Sequence, residues 1–585
     1  MMAKRTIVPL LVLSVALTVV SCQADTVKTP KVLADWSRGQ QVAVSALNRP
    51  VGMLAENGRV HIVLVAADSR TLQYVRLDST GAIQVSKDLD IKGAHPTDPE
   101  LLLREDGSLS VLWTDNPDIP RALFVAPLSR DGQLLGEARQ LSPEGVRVAT
   151  YAVARNLDGD YDIFWSDEVP SEGGLHHLRL SADVQVVSGN RLLVENGDAP
   201  TVQVARDGMI HLAWVEEQEL RATDVYYALF DPSTGEIGPK TRVGFYKGAT
   251  GVIRYTPILG LDQRRVYLFW ALEQRGGGLV GAGNADTYVV SFPLGQPTFI
   301  EARTVAIPST TKPDYSSGRG SFPYQKLASA EAGWPTSLLY MPATLGGQRD
   351  EVSVFLVGEV HTRSQSSRQV VWAIMADGRL KGYQLPVKVD NALRPKAVVD
   401  DEGNVHLAWL NAAGFGRYEV YYASTSEAVK ASLDRVTMRD RATDFMGTVW
   451  MLAPALGFFP PVILLWSFAS FAWIVAFYFV KTEGGLDRRP AQIALVIAVA
   501  IYLFSKLFLM PGVLFYAPFL DRLPENLEFI TVLGTPLFTL LASLGALWIY
   551  FRRQPYRSLL IAWLIIVLTD AMLSLIIYVP GWLAQ

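Results

Sequence analysis

The sequence predicts a protein of two parts: an all-β, seven-bladed β-propeller and an all-α domain of four transmembrane helices. A strand–turn–strand pattern recurs seven times before residue 440. Four apolar segments, each near the roughly 20 residues that cross a bilayer, follow from residue 460 onward. At 585 residues the chain also exceeds the length at which one hydrophobic core keeps growing, so more than one domain is expected.

Each repeat contains a strand, a tight turn that is usually Asp-Gly or Asn-Gly, and a second strand with a large apolar residue at its end. The seven turn and second-strand segments are NGRVHIVLV (57–65), DGSLSVLW (106–113), DGDYDIFW (158–165), DGMIHLAW (207–214), RRVYLFW (264–270), EVSVFLV (351–357) and EGNVHLAW (402–409). A further run of strand formers follows each, for example VYYALF at 225–230. The spacing of roughly 50 residues is typical of propeller blades, which bury both apolar faces by packing around an axis.

The last repeat lacks an obvious fourth strand. A segment near the N-terminus, GQQVAVS at 39–45, has strand character and precedes the first repeat. We expect it to complete the seventh blade and close the ring, which leaves only short edges. Six or eight blades remain alternatives, and the propeller is placed at residues 35–437.

The pattern GNVHLAW followed by VYYA, at 403–409 and 420–423, resembles the repeats of bacterial propellers of the sialidase-like type. The resemblance covers residues 35–437 and implies the propeller fold. Catalytic sialidases carry Ser-x-Asp-x-Gly-x-Thr-Trp boxes, an arginine triad and a Tyr–Glu pair. This sequence contains no such box, and its arginines are scattered. The resemblance therefore implies non-catalytic blades, and we predict no catalytic residues.

Histidines occupy one equivalent position in three blades, as His61, His211 and His406. They could suggest a metal site, but strand alternation places them on a face that packs against a neighbouring blade. We expect buried, hydrogen-bonded histidines. A D-x-D-x-D run begins at Asp158, but it lacks the glycine and the distal glutamate of a calcium loop, so a hairpin turn is the simpler interpretation. We predict no metal site and no cofactor.

The longest irregular stretch runs from 304 to 334. Loops of this length in compact domains are commonly functional or disordered. Aromatic and basic residues interleaved with glycine and serine suit a binding lid over one propeller face, and a floppy insertion is the alternative. The lid candidates are Tyr315, Arg319, Phe322 and Tyr324.

The N-terminus has the features of a bacterial lipoprotein signal. Two basic residues precede an apolar stretch at 7–20, which is too short to span a membrane comfortably. The stretch ends in Val-Val-Ser-Cys, which resembles a lipobox, and Cys22 is the only cysteine of the chain. We predict a signal peptide over 1–22 and lipid attachment at Cys22, with simple cleavage after Ala24 as the alternative.

The C-terminal region, 460–585, is predicted to cross the membrane four times, after a linker or interfacial segment at 438–459. The apolar segments are 460–480, 491–510, 529–551 and 558–578. Basic residues follow the first and third segments, so these loops are expected in the cytoplasm and the propeller outside it. We predict a multi-pass cell-membrane protein with a large extracytoplasmic N-terminal domain.

Two ionisable residues, Lys506 and Asp570, lie inside the second and fourth apolar segments. A charge at the centre of a membrane helix costs on the order of 2.5–3.5 kcal/mol, and pairing offsets this cost. Their similar depth predicts an interhelical ion pair. In the alternative, Lys506 extends to the interface and Asp570 is protonated.

The net charge of −4 is mild and argues against nucleic acid as a partner. Since no catalytic pattern is found, we expect a binding or interaction module anchored in membrane lipid. Its ligand would be another protein or an extracellular saccharide or peptide. A transducer or transport accessory acting through the membrane helices is the alternative, and a sialidase-like glycan hydrolase or lyase ranks third.

Overall fold

The computed structural model describes most of the chain from residue 35 to residue 584. The described ranges are 35–91, 95–115, 121–167, 173–218, 222–247, 252–274, 284–305, 308–309, 334–335, 339–361, 366–387, 391–414, 416–435, 437–481, 484–509 and 528–584. Within them, seven β-sheets form the blades of a propeller and five helices follow. The predicted signal segment at 1–22 lies outside these ranges.

A first strand, β1 (Gln40–Ser45), precedes the blades, each of which is an antiparallel sheet. Blade 1 contains β2 (Gly52–Glu56), β3 (Arg59–Val65), β4 (Leu72–Leu77) and β5 (Ile83–Leu89). Blade 2 contains β6 (Thr97–Leu103), β7 (Leu109–Asp115), β8 (Ala122–Leu128) and β9 (Arg139–Gln140). Blade 3 contains β10 (Val148–Arg155), β11 (Tyr161–Asp167), β12 (Gly174–Leu180) and β13 (Val186–Glu195).

The remaining blades follow the same order. Blade 4 contains β14 (Asp198–Val204), β15 (Ile210–Glu217) and β16 (Ala222–Asp231), with β17 (Glu236–Ile237) and β18 (Thr241–Lys247) both beside β16. Blade 5 contains β19 (Val252–Leu261), β20 (Arg265–Gln274), β21 (Asn284–Pro293) and β22 (Arg303–Thr304). A short pair, β23 (Pro308–Ser309) and β24 (Trp334–Pro335), precedes blade 6, which contains β25 (Leu339–Thr344), β26 (Val352–His361), β27 (Ser366–Ala376) and β28 (Arg379–Gln384). Blade 7 contains β29 (Ala392–Val399), β30 (Val405–Ala412) and β31 (Tyr418–Ser424).

Strand β1 completes blade 7 and closes the ring. It pairs antiparallel with β31, with Gln40 opposite Tyr422 and Ser45 opposite Tyr418. Just before it, the Ser37 amide donates to the Ser424 carbonyl oxygen at 2.7 Å. The prediction of a seventh blade built from both parts of the chain is therefore confirmed, and a ring of six or eight blades is excluded.

The core lies between neighbouring blades, along their second strands. A tryptophan near the end of the second strand is at most 1% exposed in five blades, as Trp113, Trp165, Trp214, Trp270 and Trp409. Near the axis the blades approach each other closely. A Cβ atom at Gly52 would lie 2.4 Å from the carbonyl oxygen of Pro99 in blade 2, so only glycine fits there without displacement.

The three predicted histidines are buried and hydrogen-bonded, as expected. Each places Nδ1 near a tyrosine hydroxyl on the third strand of its own blade. The distances are 2.6 Å for His61 and Tyr74, 2.7 Å for His211 and Tyr227, and 2.8 Å for His406 and Tyr422. These contacts lie inside three different blades, so the histidines do not converge on one ion.

Blade 3 replaces this pair with a buried carboxylate. Asp162, which is fully buried, accepts hydrogen bonds from His177 at 2.8 Å and Arg179 at 2.9 Å. The preceding acidic residues form a turn in which the Asn156 side-chain oxygen accepts from the amides of Asp158 and Asp160. The hairpin interpretation of the D-x-D-x-D run is therefore confirmed.

Five helices follow the propeller: α1 (Glu427–Leu433), α2 (Met438–Val480), α3 (Arg489–Leu509), α4 (Glu528–Arg553) and α5 (Leu559–Ala584). Helix α1 packs on the propeller through Val429, which is 1% exposed. The other four are long and apolar enough to cross a membrane, and α5 contacts each of the other three. The predicted linker at 438–459 is helical and continuous with the first span, because α2 runs through residue 460 without a break.

Burial makes His211 a source of pH-dependent stability. Burial lowers the pKa of His211 to about 4, against a small opposing effect of Asp207. The unfolded chain, with a histidine pKa near 6.5, binds the proton first as pH falls. The stability contributed by neutral His211 is thus complete above pH 6.5 and is lost toward pH 4, at up to about 1.4 kcal/mol per pH unit.

Denaturant unfolding of the full chain should show that the free energy of unfolding depends less steeply on pH between pH 6.5 and 4.5 for His211→Gln than for the wild type. Parallel curves would contradict this account.

Candidate functional site

A cavity of about 650 Å³ lies along the central channel of the propeller. The first strands of neighbouring blades contact one another around it, including β29 of blade 7 with β2 of blade 1. Six of the seven blades line the cavity at the end where the first strands begin, which we call the channel mouth. At the other end the described lining residues come from blades 1 to 3 and include Leu54, Leu103 and Arg155.

The first strands share an irregular backbone at the mouth. In blades 2 to 7 the pairing of the first strand with the second is interrupted near its start. The interruptions lie between Thr97 and Glu100, Val148 and Thr150, Asp198 and Thr201, Tyr255 and Ile258, Tyr340 and Ala343, and Leu393 and Lys396. A proline lies inside five of them, as Pro99, Pro200, Pro257, Pro342 and Pro395. Bulges of this kind redirect side chains and tolerate proline.

Four of the residues that precede these prolines have a positive φ. They are Asp98 (51°), Ala199 (51°), Met341 (52°) and Arg394 (49°). Residues other than glycine rarely adopt this conformation, which costs of order 1–3 kcal/mol and clusters at functional sites. Two of the four, Asp98 and Arg394, carry charged side chains that line the channel mouth.

Among the described residues, two carboxylates line the mouth, and each has a cationic partner. Asp98 accepts from Arg121 at 2.6 Å, and Glu100 accepts from Lys396 at 2.5 Å. Farther round the ring, Glu217 accepts from Arg254 at 3.2 Å. The two carboxylates that line the mouth are therefore already paired with cations, whereas Glu273 accepts from the Tyr255 hydroxyl.

Arg394 differs from these cations because it has no carboxylate within ion-pair distance among the described residues. Its Nε donates to the Asn48 side-chain oxygen at 3.3 Å, and its guanidinium lies 5.5 Å from the centre of the Tyr255 ring. Burial lowers the pKa of Arg394, but an arginine remains protonated in proteins. Asp98 acts on its charge from a distance, but that carboxylate is already hydrogen-bonded to Arg121. Among the described residues, the mouth therefore holds a half-buried cation without a direct ion pair.

Tyr255 supplies an aromatic face beside this cation. Its hydroxyl donates to Glu273 at 2.5 Å, and its ring packs against the buried Tyr340 at 5.8 Å. Burial, together with the hydrogen bond to Glu273, raises the pKa of Tyr255 well above its usual value. The phenol is therefore neutral, and its half-buried ring remains open to the channel.

The structure brings together residues that sequence analysis left apart. Arg49, Arg254 and Arg394 belong to three blades, and all line the channel mouth. One signal was present in the sequence: a dipeptide ending in proline recurs at the first strands, as Arg49-Pro50, Asp98-Pro99 and Arg394-Pro395. By contrast, Cys22 and the lid candidates lie outside the described residues. Those candidates are Tyr315, Arg319, Phe322 and Tyr324.

The structure places Lys506 and Asp570 in contact within the helical bundle. Lys506 Nζ lies 2.7 Å from Asp570 Oδ2, which also accepts from the Tyr502 hydroxyl at 2.8 Å. The ammonium donates to Ser574 Oγ at 2.6 Å and lies 5.7 Å from the Trp466 ring. Lys506 is 6% exposed and Asp570 is fully buried, so the contact joins α3 to α5 in the interior of the bundle.

We expect Asp570→Asn to destabilise the bundle by about 3 kcal/mol, because it leaves the Lys506 charge buried without a counter-charge. The double variant Lys506→Met/Asp570→Leu should recover most of the loss, since a matched apolar pair carries no desolvation penalty. Both are measured by denaturing-detergent titration of the full chain. Equal stability of Asp570→Asn and the wild type would contradict an ion pair.

No family model matches the chain, and no curated protein matches it. Solved structures with a similar arrangement include an ulvan lyase bound to a GlcA–Rha3S saccharide, with 11% identity, 70% of this chain and 99% of that chain covered, and a TM-score of 0.44. Another polysaccharide lyase gives 12% identity, 65% and 90% coverage, and a TM-score of 0.38. An endo-arabinase from Bacteroides thetaiotaomicron gives 13% identity, 45% and 100% coverage, and a TM-score of 0.30. Similarities of this size say nothing about activity.

Proposed function

We propose that the chain is a membrane-anchored binding protein whose propeller holds an acidic saccharide at the channel mouth. The observation that carries this proposal is Arg394, a half-buried guanidinium with no carboxylate partner among the described residues. Guanidinium groups bind carboxylates and sulfates through two parallel hydrogen bonds. A ligand anion would therefore supply the direct ion pair that no described residue gives Arg394.

The surrounding charges favour an anion over a cation. Arg49 lies only loosely beside Asp98, at 3.7 Å, and its side chain is 49% exposed. Lys396 and Arg254 lie on either side of the same opening. Four cations (Arg49, Arg254, Arg394 and Lys396) and two carboxylates (Asp98 and Glu100) are among the described residues that line the mouth, so its net charge is positive. Such a charge attracts anions, and the attraction weakens as the salt concentration rises.

The aromatic residues of the mouth suit a sugar ring. Tyr255 and Tyr151 are half-buried and line the same cavity as Arg394. A tyrosine ring offers an apolar face with a polar edge, which matches the apolar C–H face and polar rim of a pyranose. The cavity of about 650 Å³ also falls in the range of roughly 300–1,000 Å³ that is typical of ligand sites.

The four apolar helices provide the anchor. In this proposal the basic loops after α2 and α4 face the cytoplasm and the propeller lies outside it, where lipid at Cys22 adds a second attachment. Binding at the mouth requires no catalytic group, which agrees with the lack of a catalytic pattern in the sequence.

Binding to the purified full chain tests the proposal directly. Uronate- or sulfate-bearing oligosaccharides should bind in calorimetric titrations, and neutral oligosaccharides of equal length should not. Arg394→Gln should raise the Kd for these oligosaccharides roughly 10- to 100-fold, because it removes charge-assisted hydrogen bonds. The matched control is Arg264→Gln, an equal charge change at a side chain that is 81% exposed.

Two outcomes would overturn the proposal. One is that Arg394→Gln binds acidic saccharides as tightly as the wild type does. The other is that acidic peptides of equal charge bind, whereas no saccharide does, which would assign the mouth to a protein ligand.

A further inference from the structure

The direction of the strands shows where the chain enters and leaves the propeller. In blade 7, β29 begins at the channel mouth with Ala392 and ends on the opposite face with Val399. The antiparallel order then brings β30 back to the mouth and takes β31 away from it. Strand β31 therefore ends, and β1 begins, on the face opposite the mouth. We call this the turn face, because the tight turns between the first and second strands lie there.

Both chain segments are fixed to the propeller at this point. The Ser37 amide donates a hydrogen bond to the Ser424 carbonyl oxygen, and the Ser424 amide donates one back to Ser37 Oγ at 2.9 Å. The Arg38 amide donates to Asp434 Oδ1 at 2.8 Å, which ties the segment before β1 to the end of α1. Helix α1 packs beside the turn at Gly81, where an added Cβ would lie 3.0 Å from Val429. The long helix α2 starts only four residues after Asp434, at Met438.

We infer that the propeller stands with its turn face toward the bilayer and its channel mouth directed away from the lipid. The membrane helices leave from the turn face of blade 7, and the segment that follows the predicted lipid site at Cys22 enters at the same place. A ligand of the mouth then arrives from the aqueous compartment and not from the bilayer. This orientation holds whatever the mouth binds.

The charge of the turn face indicates that it is held near the membrane without lying flat on it. The seven turns between first and second strands are 57–58, 104–108, 156–160, 205–209, 262–264, 345–351 and 400–404. Together they carry eleven carboxylates and four arginines, and none has a net positive charge. An anionic lipid surface repels such a face within about a Debye length, roughly 8–10 Å.

Helix α2 provides the spacing that this repulsion requires. It begins at Met438, and its candidate membrane span begins at Pro460, so 22 helical residues precede the span. The polar start of this segment, 438–444, covers about 10 Å at 1.5 Å per residue, about one Debye length, before the apolar residues 445–459. The acidic turn face can therefore point toward the lipid without contacting its headgroups.

Förster resonance energy transfer from dyes on the propeller to labelled lipid tests which face of the propeller is nearer to the bilayer. Cys22→Ser gives a cysteine-free chain, and single cysteines are then placed at the two ends of one strand. Glu402→Cys and Ala413→Cys flank β30 on the turn face and the mouth face, and both positions are exposed. Asp207→Cys and Gln218→Cys flank β15 in the same way. Each pair is separated by a strand of eight residues, about 27 Å.

Each variant is labelled with a donor dye and reconstituted in vesicles that carry an acceptor on the lipid headgroup. We expect at least about twofold higher transfer from Glu402→Cys than from Ala413→Cys, and the same order for Asp207→Cys over Gln218→Cys. Higher transfer from the two mouth positions would overturn the inference by placing the mouth on the membrane. Equal transfer within both pairs would also overturn it, since the propeller would then lie on its side.

Discussion

The pairing of β1 with β31 is the constraint on which the rest of the structure depends. A propeller blade cannot bury its two faces alone, and an open row of blades would leave one face of blade 1 and one of blade 7 in water. Joining the N-terminal strand to the last blade covers both faces and fixes the circumference of the channel. It also brings the segment before β1 next to α1, so that one point of the ring carries both connections.

The channel mouth and the helical bundle accommodate a buried cation in opposite ways. In the bundle, Lys506 is fully enclosed and contacts Asp570, Ser574 and the Trp466 ring, so its charge is compensated within the protein. At the mouth, Arg394 is only half-buried and has no carboxylate partner among the described residues. An enclosed charge needs a partner to be tolerated at all, whereas a charge beside an open cavity remains available for a ligand. This contrast distinguishes a contact that joins helices from a residue suited to binding.

The sequence predicts the repeated strands well, but it predicts poorly the sites that are built from residues far apart in the chain. The period of the blades, the closing strand at 39–45 and the buried histidines all depend on local alternation, which a single sequence displays. The channel mouth does not depend on local alternation. Arg49 and Arg394 are far apart in the chain, and they come close to each other only when the ring closes. Their orientation also depends on bulges and positive φ angles that residue type does not specify. The apolar pattern gives the candidate span that begins at Pro460, but it does not show that α2 already starts at Met438.

Ring closure is tested most directly by replacing residues 40–45 with a glycine–serine segment of equal length and following thermal unfolding by tryptophan fluorescence. The same replacement at 83–88, in β5, is the control, because it also removes a fourth strand but leaves the two parts of the chain joined. The account predicts that the first variant loses the cooperative transition or melts far below the control, and no longer binds at the channel mouth. Equal melting of the two variants would contradict the central role of the β1–β31 pairing.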